Sequence, residues 1–305
     1  MLLIAIWDNM NCKCVHLWGA MSLLSLFLTI QAVFASAQEP NNGRFELFDT
    51  SNPDFNTPTG WQHENYTAVV SHFVPNPLTP EEGQGIEPHW LLDPCIGLFP
   101  YEGNHFLVLS TGDINNHPEV RYAKVWQTIP VAAGDTLIGA YFFGTYEAPL
   151  TVYNDYAEIK LVDPNLRGIV LVHVDVEDVG VLSSMKGWKR FEYTFDANQA
   201  GTYDLTIRVQ DWDDQRYNSY FAVDGLVLCE NASGGGDINL DCTTNFQDFA
   251  LFAAGWFCNC NDPNNYNDPD PNSSCRLDID LAGGGLVDTN DLQIMAEHWL
   301  EGTKE

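Results

Sequence analysis

Positive charge is what this 305-residue chain has least of. Its 13 Lys and Arg stand against 42 Asp and Glu, a formal net charge of −29. Nucleic acid is held by clustered cations that release counterions from the phosphates, so that class of partner is excluded. The familiar catalytic signatures are missing as well: no GxSxG elbow, HExxH pair, phosphate-cradling glycine loop or dinucleotide fingerprint occurs. The nucleophile, zinc and nucleotide chemistries that those motifs carry therefore have no residue to rest on. Five histidines between His63 and His117 follow no metal-ligand spacing. Long apolar runs are scarce too, the clearest being LLSLFLTIQAVF at 23–34, which is short for a membrane span. What is there is a folding composition, 45% hydrophobic and 12% aromatic, too rich for a disordered polyanion.

The apolar run follows Lys13 and ends at Ala35-Ser36-Ala37, the small-x-small pattern that signal peptidases read. Residues 1–37 are expected to be a signal peptide, with the mature chain beginning near Gln38 and the protein secreted or held at the cell surface; a retained anchor is the alternative. Cys12 and Cys14 leave with the leader. Six cysteines remain, Cys95, Cys229, Cys242, Cys258, Cys260 and Cys275. An even number in an oxidising compartment fits three disulfides whose pairing the sequence leaves open.

From 38 to 230 the chain alternates apolar and polar residues at period two, as half-buried antiparallel strands do. In YAEIKLVD, Ala157, Ile159 and Leu161 point one way while Glu158 and Lys160 point the other. RFEYTF and TYDLTIRVQ repeat the pattern, and further strands are expected at 45–49, 66–74, 105–110, 120–129, 135–143, 168–176 and 219–228. Pro, Gly, Asn and Asp clusters separate them. About ten strands without a helix predict a two-sheet β-sandwich.

NASGGG at 231–236 reads as a linker. Beyond it, 237–305, the apolar spacing becomes helical and the sequence repeats itself. DFALFAAGWF and DLQIMAEHWL match at Asp248 with Asp291 and at Trp256 with Trp299, each pair 43 residues apart. Before the first helix, Asp237, Asn239, Asp241, Asn245 and Asp248 place oxygens at positions 1, 3, 5, 9 and 12 of a loop, and Thr243 offers a carbonyl at position 7. That spacing wraps hard oxygen ligands around Ca²⁺. Cys242 stands at position 6, where Gly eases the turn, and the twelfth residue is Asp instead of the longer Glu. The second loop keeps Asp280, Asp288 and Asp291 but has Ala282 and Gly284 at positions 3 and 5, so calcium there would depend on backbone, water or Asp278.

This loop–helix duplication resembles the type I dockerin module, especially the cysteine-containing forms of planctomycete-type bacteria, over residues 237–300. The resemblance implies a small calcium-bound helical plug for a cohesin-type receptor. Its partner-reading positions map onto Phe246 and Gln247 in one half and Thr289 and Asn290 in the other. Those pairs differ, which argues against a plug that binds in two orientations. The insert at 258–275 is foreign to the family; a bridge from Cys275 to Cys258 or Cys260 would staple it, leaving the other to reach Cys242.

The opening NNGRFELFD with Gly60-Trp61 and the closing NSYFAVDGLVL resemble the first and last strands of galactose-binding-like jelly rolls, the fold of many carbohydrate-binding modules. The resemblance implies a structural calcium held by Glu46 and Asp224. Sugar recognition needs flat aromatic faces beside hydrogen-bonding groups. Trp90, Trp126, Trp212 and Tyr217 are the candidates, Trp212 and Tyr217 because DWDDQRYN is polar and loop-like, whereas Tyr141 in LIGAYFF is expected in the core. The expected protein is a secreted, non-catalytic binder of polysaccharide or another surface component with a docking tail. A glycoside hydrolase or lyase with the same tail, and a structural surface protein, are the alternatives. Two carboxylates suffice for glycoside hydrolysis, and with 42 acids no particular pair stands out.

Overall fold

Strands form where the sequence alternates and where it runs continuously apolar. The computed structural model describes residues 40–51, 56–74, 90–92, 97–112, 121–147, 154–212, 217–230, 235–258, 279–282 and 285–300. The expected leader, most of the linker, and Cys95, Cys260 and Cys275 lie outside them. One five-stranded antiparallel sheet has the order β3 (Gln62–Glu64), β6 (Tyr122–Val131), β11 (Gly201–Gln210), β8 (Tyr156–Val162), β9 (Gly168–Asp175). The other runs β10 (Lys189–Thr194), β7 (Thr136–Thr145), β12 (Ser219–Cys229), β5 (Phe106–Ser110), β4 (Thr67–Val70). A two-residue ribbon, β1 (Phe48–Asp49) with β2 (Thr57–Pro58), stands apart. The fold class is the expected one, a two-sheet antiparallel β-sandwich of jelly-roll type. No helix among the described residues is long and apolar enough to cross a membrane.

The sheets differ in how much of each they bury, and sequence dictates the difference. In the β6 sheet, Val125, Ile129, Ile207, Val209, Ile159 and Leu161 face inward to the main core, and their neighbours face out. In the β7 sheet both faces are covered: Tyr141, Phe143, Phe221 and Val223 enter the main core, while Phe142, Tyr220, Ala222 and Val108 form a second cluster beneath Phe73, Leu92, Leu98 and Leu182. All ten residues of β7 and all eleven of β12 are therefore buried. Strands buried on both faces read as continuous apolar runs, which is how LIGAYFF reads.

Several expected elements came out shorter, the strand expected over 66–74 shrinking to Thr67–Val70, and two of them for a local reason. Phe45 takes a left-handed φ of 52° and is fully buried, so the strand expected from 45 starts only at Phe48. The strand expected over 168–176 ends in a one-turn helix, α1 (Val176–Val179), because the Asp175 carboxylate accepts from the Glu177 and Asp178 amides and starts it.

The tail carries α2 (Phe246–Ala254) and α3 (Thr289–Glu297), each beginning on an Asx cap, Asn245 and Asp288. Both helices start two residues before the periodic runs and stop short of Trp256 and Trp299. The halves complete one another. Phe257 N–H donates to Val287 O at 3.0 Å and Leu300 N–H to Thr244 O at 2.9 Å, equivalent bonds running in opposite directions between the repeats. Ile238, Phe252, Ile279, Val287 and Met295 fill the space between them.

Candidate functional site

The outer face of the β6 sheet presents its polar residues in register. The central row runs Glu64, Lys124, Arg208, Glu158, His173 across all five strands. One step along the strands lie Gln62, Trp126, Thr206 and Lys160, and one step the other way Tyr122, Gln210, Tyr156 and Asp175. At ~3.3 Å per residue and ~4.8 Å between strands, the platform measures about 13 Å by about 19 Å.

Most of the charged and aromatic side chains on it are held by a neighbour. The Tyr122 hydroxyl donates to Glu64 Oε2 at 3.0 Å, and Lys124 Nζ lies 3.4 Å from the same oxygen. The Tyr122 hydroxyl, helped by Lys124, keeps the Glu64 carboxyl below its ordinary range and is itself pushed up. Lys124 Nζ also sits 4.1 Å from the centroid of the Trp126 ring. Lys160 donates to Glu158 at 2.9 Å, and His173 lies between Glu158 and Asp175 at 3.5 and 3.6 Å. Tyr156 stacks on His173 with centroids 5.5 Å apart and reaches Trp212 at 6.3 Å. Trp212 is 56% exposed at the rim of this row, its own amide tied to the buried Asp155. Arg208 lies over Tyr122, centroid to Cζ 4.9 Å, and its buried Nε has no acceptor among the described residues. Flat rings alternating with pinned donors and acceptors suit a polyhydroxylated ligand.

Of the four expected aromatics, Trp126 and Trp212 share this face. Trp90 and Tyr217 pack into the second cluster on the opposite sheet, where Trp90 donates its Nε1 to Thr145 O at 3.0 Å and stacks on Tyr146. The structure does not bring the two pairs together. Sequence reasoning did not single out Tyr122, Lys124, Tyr156, Glu158, His173 or Arg208. Period-two alternation would have put the residues of one strand on one face, but the register that joins β6, β11, β8 and β9 is not in any single strand.

The first loop of the tail is a candidate cation site. Carboxylate oxygens of Asp237, Asp241 and Asp248 lie within 4.8 Å of one another. Burial first, then the Asp248 and Asp241 charges, push Asp237 up to about 6 against some relief from Arg190, and burial raises Asp248 too. Crowded, desolvated carboxylates on a hard-oxygen loop fit a divalent cation such as Ca²⁺. The loop is shaped for it by its own amides: Cys242 N–H donates to Asp237 Oδ2, while Asn239 and Asn245 amides donate to the two oxygens of Asp248. Cys242, at the position where Gly was expected, takes a φ of 65°, the left-handed turn all the same. Asn239 and Thr243 line the loop beside them.

Residue for residue, the second loop repeats that scaffold. Gly285 N–H donates to Asp280, Ala282 and Asp288 amides donate to Asp291, and Gly285 has a φ of 79°. Ala282 brings no side-chain oxygen. Gln247, Phe246, Thr289 and Asn290 are all exposed, and Phe246, 76% exposed, stands edge-on to Trp299 at 5.1 Å with Phe249 beside it.

Cys242 is bonded to Cys229, the last residue of β12. The expectation that it pairs with Cys258 or Cys260 is corrected, and Cys258 is itself disulfide-bonded. The correction follows from packing. Leu240 is buried against Tyr101, Ile138, Ala140 and Val227 on the outer face of the β7 sheet, which carries the loop to the end of β12. Arg190 donates to Asp237 O and Arg44 to Leu240 O. Gly225, with a φ of 62°, lies where a Cβ would come within 2.7 Å of Leu240.

Glu46 and Asp224 do a related job at the sandwich end. Glu46 accepts from the Asn104 and His105 amides and pairs with the His105 ring at 3.0 Å; Asp224 accepts from the Tyr101, Glu102 and Gly225 amides. Both therefore pin the 101–105 turn, and a Cβ on Gly103 would meet Glu46 at 2.0 Å. Burial raises Glu46, but the His105 ring and the two amides outweigh it and hold it low; burial drives Asp224 well above the carboxylate range. Neither belongs to the groups of three acid or cysteine side chains found close together among the described residues.

No family model matches the chain, and no curated protein matches it. Among solved structures, TmCBM61 in complex with β-1,4-galactotriose is 15% identical over 63% of this chain and 98% of its own, with a TM-score of 0.34. The C-terminal family 22 carbohydrate-binding module of Clostridium thermocellum Xyn10B is 12% identical over 64% and 99%, with a TM-score of 0.29. A CBM4 structure is 12% identical over 62% and 97%, with a TM-score of 0.26. At such identities and TM-scores the likeness carries no functional weight, and function has to be read from this chain's own side chains.

Proposed function

We propose that the protein is a secreted, non-catalytic polysaccharide binder that grips its ligand on the outer face of the β6 sheet and is attached elsewhere through its tail. The observation that carries this reading is the five-strand ladder in which Trp126, Tyr122 and Tyr156, with Trp212 at the rim, alternate with pinned acids, amides and cations. Aromatic faces take the C–H faces of sugar rings, and the interleaved groups take hydroxyls. The ion pairs hold those groups in place before the ligand arrives, which lowers the ordering cost of binding. In the tail, Asp237, Asn239, Asp241, Thr243, Asn245 and Asp248 would hold one calcium ion, which would supply the charge that their crowded carboxylates lack. The exposed pair Phe246 and Gln247 would then meet a cohesin-type partner.

Retention of the mature chain on a panel of insoluble polysaccharides tests the first part. Retention without soluble product, lost in Trp126→Ala, supports it; release of soluble sugar would instead favour the hydrolase reading. Association with a cohesin-type domain in calcium, abolished by EDTA and by Phe246→Ala, tests the second.

A further inference from the structure

We propose that the polysaccharide taken by this face carries carboxylate groups, and that Arg208 is the side chain that reads them. The inference rests on the reading of the face as a glycan site and names the sugar class it accepts, uronates. Arg208 stands mid-sheet, in register with Lys124 on one side and Glu158 on the other. Its guanidinium is fixed from beneath by the Tyr122 ring and from one edge by Gln210, whose Oε1 accepts from Nη2. Gln210 is itself locked, since its Nε2 donates to the carbonyls of Arg121 and Asp211. The remaining edge of the guanidinium is open: Nη1 has no hydrogen bond, and no acid lies within 4.0 Å of the group among the described residues.

That is unusual for its surroundings. Lys124 and Lys160, the other cations of the platform, already have Glu64 and Glu158 as partners. Among the described residues, the guanidinium at the centre of the face has no acid within 4.0 Å, and Glu64 feels its charge only from farther off. A planar, weakly hydrated fork held rigid with one edge free is a receptor for a planar carboxylate, and hydroxyls alone would leave its charge uncompensated. The net charge of −29 does not oppose this, because charges more than about 8 Å away are largely screened at physiological salt.

The test uses the mature chain with polygalacturonate and alginate, each offered as the acid and as its methyl ester, so that the backbone is kept and the charge removed. Polyglutamate is the control for charge without sugar. The acid forms should bind roughly tenfold more tightly than the esters at physiological salt. The preference should vanish in Arg208→Gln and return only in part in Arg208→Lys, which restores charge without the fork. Equal binding of acid and ester, both lost in Trp126→Ala, would overturn the carboxylate assignment and leave the glycan reading standing. Failure to retain either form or any neutral glycan would overturn both. Polyglutamate bound as tightly as the uronates would overturn the inference by showing that charge alone is read.

Discussion

Leu240 is one aliphatic side chain from the tail, yet it fills a socket in the β7 sheet that Gly225 is kept small to make. Leu240→Ala should cost about 2–5 kcal/mol, read by calorimetry as a lowered Tm; an unchanged Tm would mean the loop is not seated there in solution. A second pair of substitutions separates site from core. Trp126→Ala should abolish polysaccharide retention with little change in Tm, because the ring lies on an outward face. Trp90→Ala should lower stability by about 3 kcal/mol and leave retention intact, since Trp90 is packed against Tyr146 and bonded to Thr145. The opposite pattern would move the site to the other sheet. At this scale Trp212 was legible as an aromatic in a polar, loop-like segment, and Trp126 only as one candidate among several aromatics. Arg208 was not, because what distinguishes it is that no acid lies within 4.0 Å of it among the described residues, and neighbours are set by register.

The two loops of the tail show how an element can keep its scaffold while losing a side-chain oxygen. Both fold through the same amide-to-carboxylate bonds, but the second has Ala282 where the first has Asn239. A calcium titration followed by calorimetry should therefore find one site, lost in Asp241→Ala. Asp288→Ala should leave that binding in place and destabilise α3 by about 1 kcal/mol through loss of its cap. The acidity of Asp237 gives a further prediction for the chelated chain. Its folded carboxyl is raised from 3.8 to about 6, so the folded state holds the proton more tightly than the unfolded one. The stability from this group is complete below about pH 4 and is lost as pH rises through about 6, by up to about 3 kcal/mol. In EDTA the Tm should fall between pH 5 and pH 7, and fall less in Asp237→Asn; a rise over that interval would contradict it. The 43-residue repeat made this element readable from sequence. The reciprocal bonds at Phe257 and Leu300 were not readable, because they depend on how one half faces the other.

For the whole molecule, the sequence made the sandwich legible through alternation in β8, β10 and β11, whose outer faces meet water. It left the second cluster over the β7 sheet unseen, because the residues that cover it, Phe73, Leu92, Leu98 and Leu182, come from irregular segments. The same limit hid the partner of Cys242, since a sequence of small, polar residues at 231–236 suggests slack that the disulfide takes up. That bond closes a loop of 13 residues and should contribute about 3 kcal/mol. Reduction, or Cys229→Ser, should raise hydrogen exchange in 235–258 while polysaccharide retention stays unchanged; unaltered exchange would show the bond to be redundant.

Because Cys229 closes the last strand and Cys242 sits inside the cation loop, the tail leaves the sandwich as a bracket, not as a leash. A partner engaging Phe246 and a glycan lying along Trp126, as proposed above, would then be held at a set angle to one another. Such a joint transmits force and torque between the two attachments, where a flexible tether would only limit how far apart they drift.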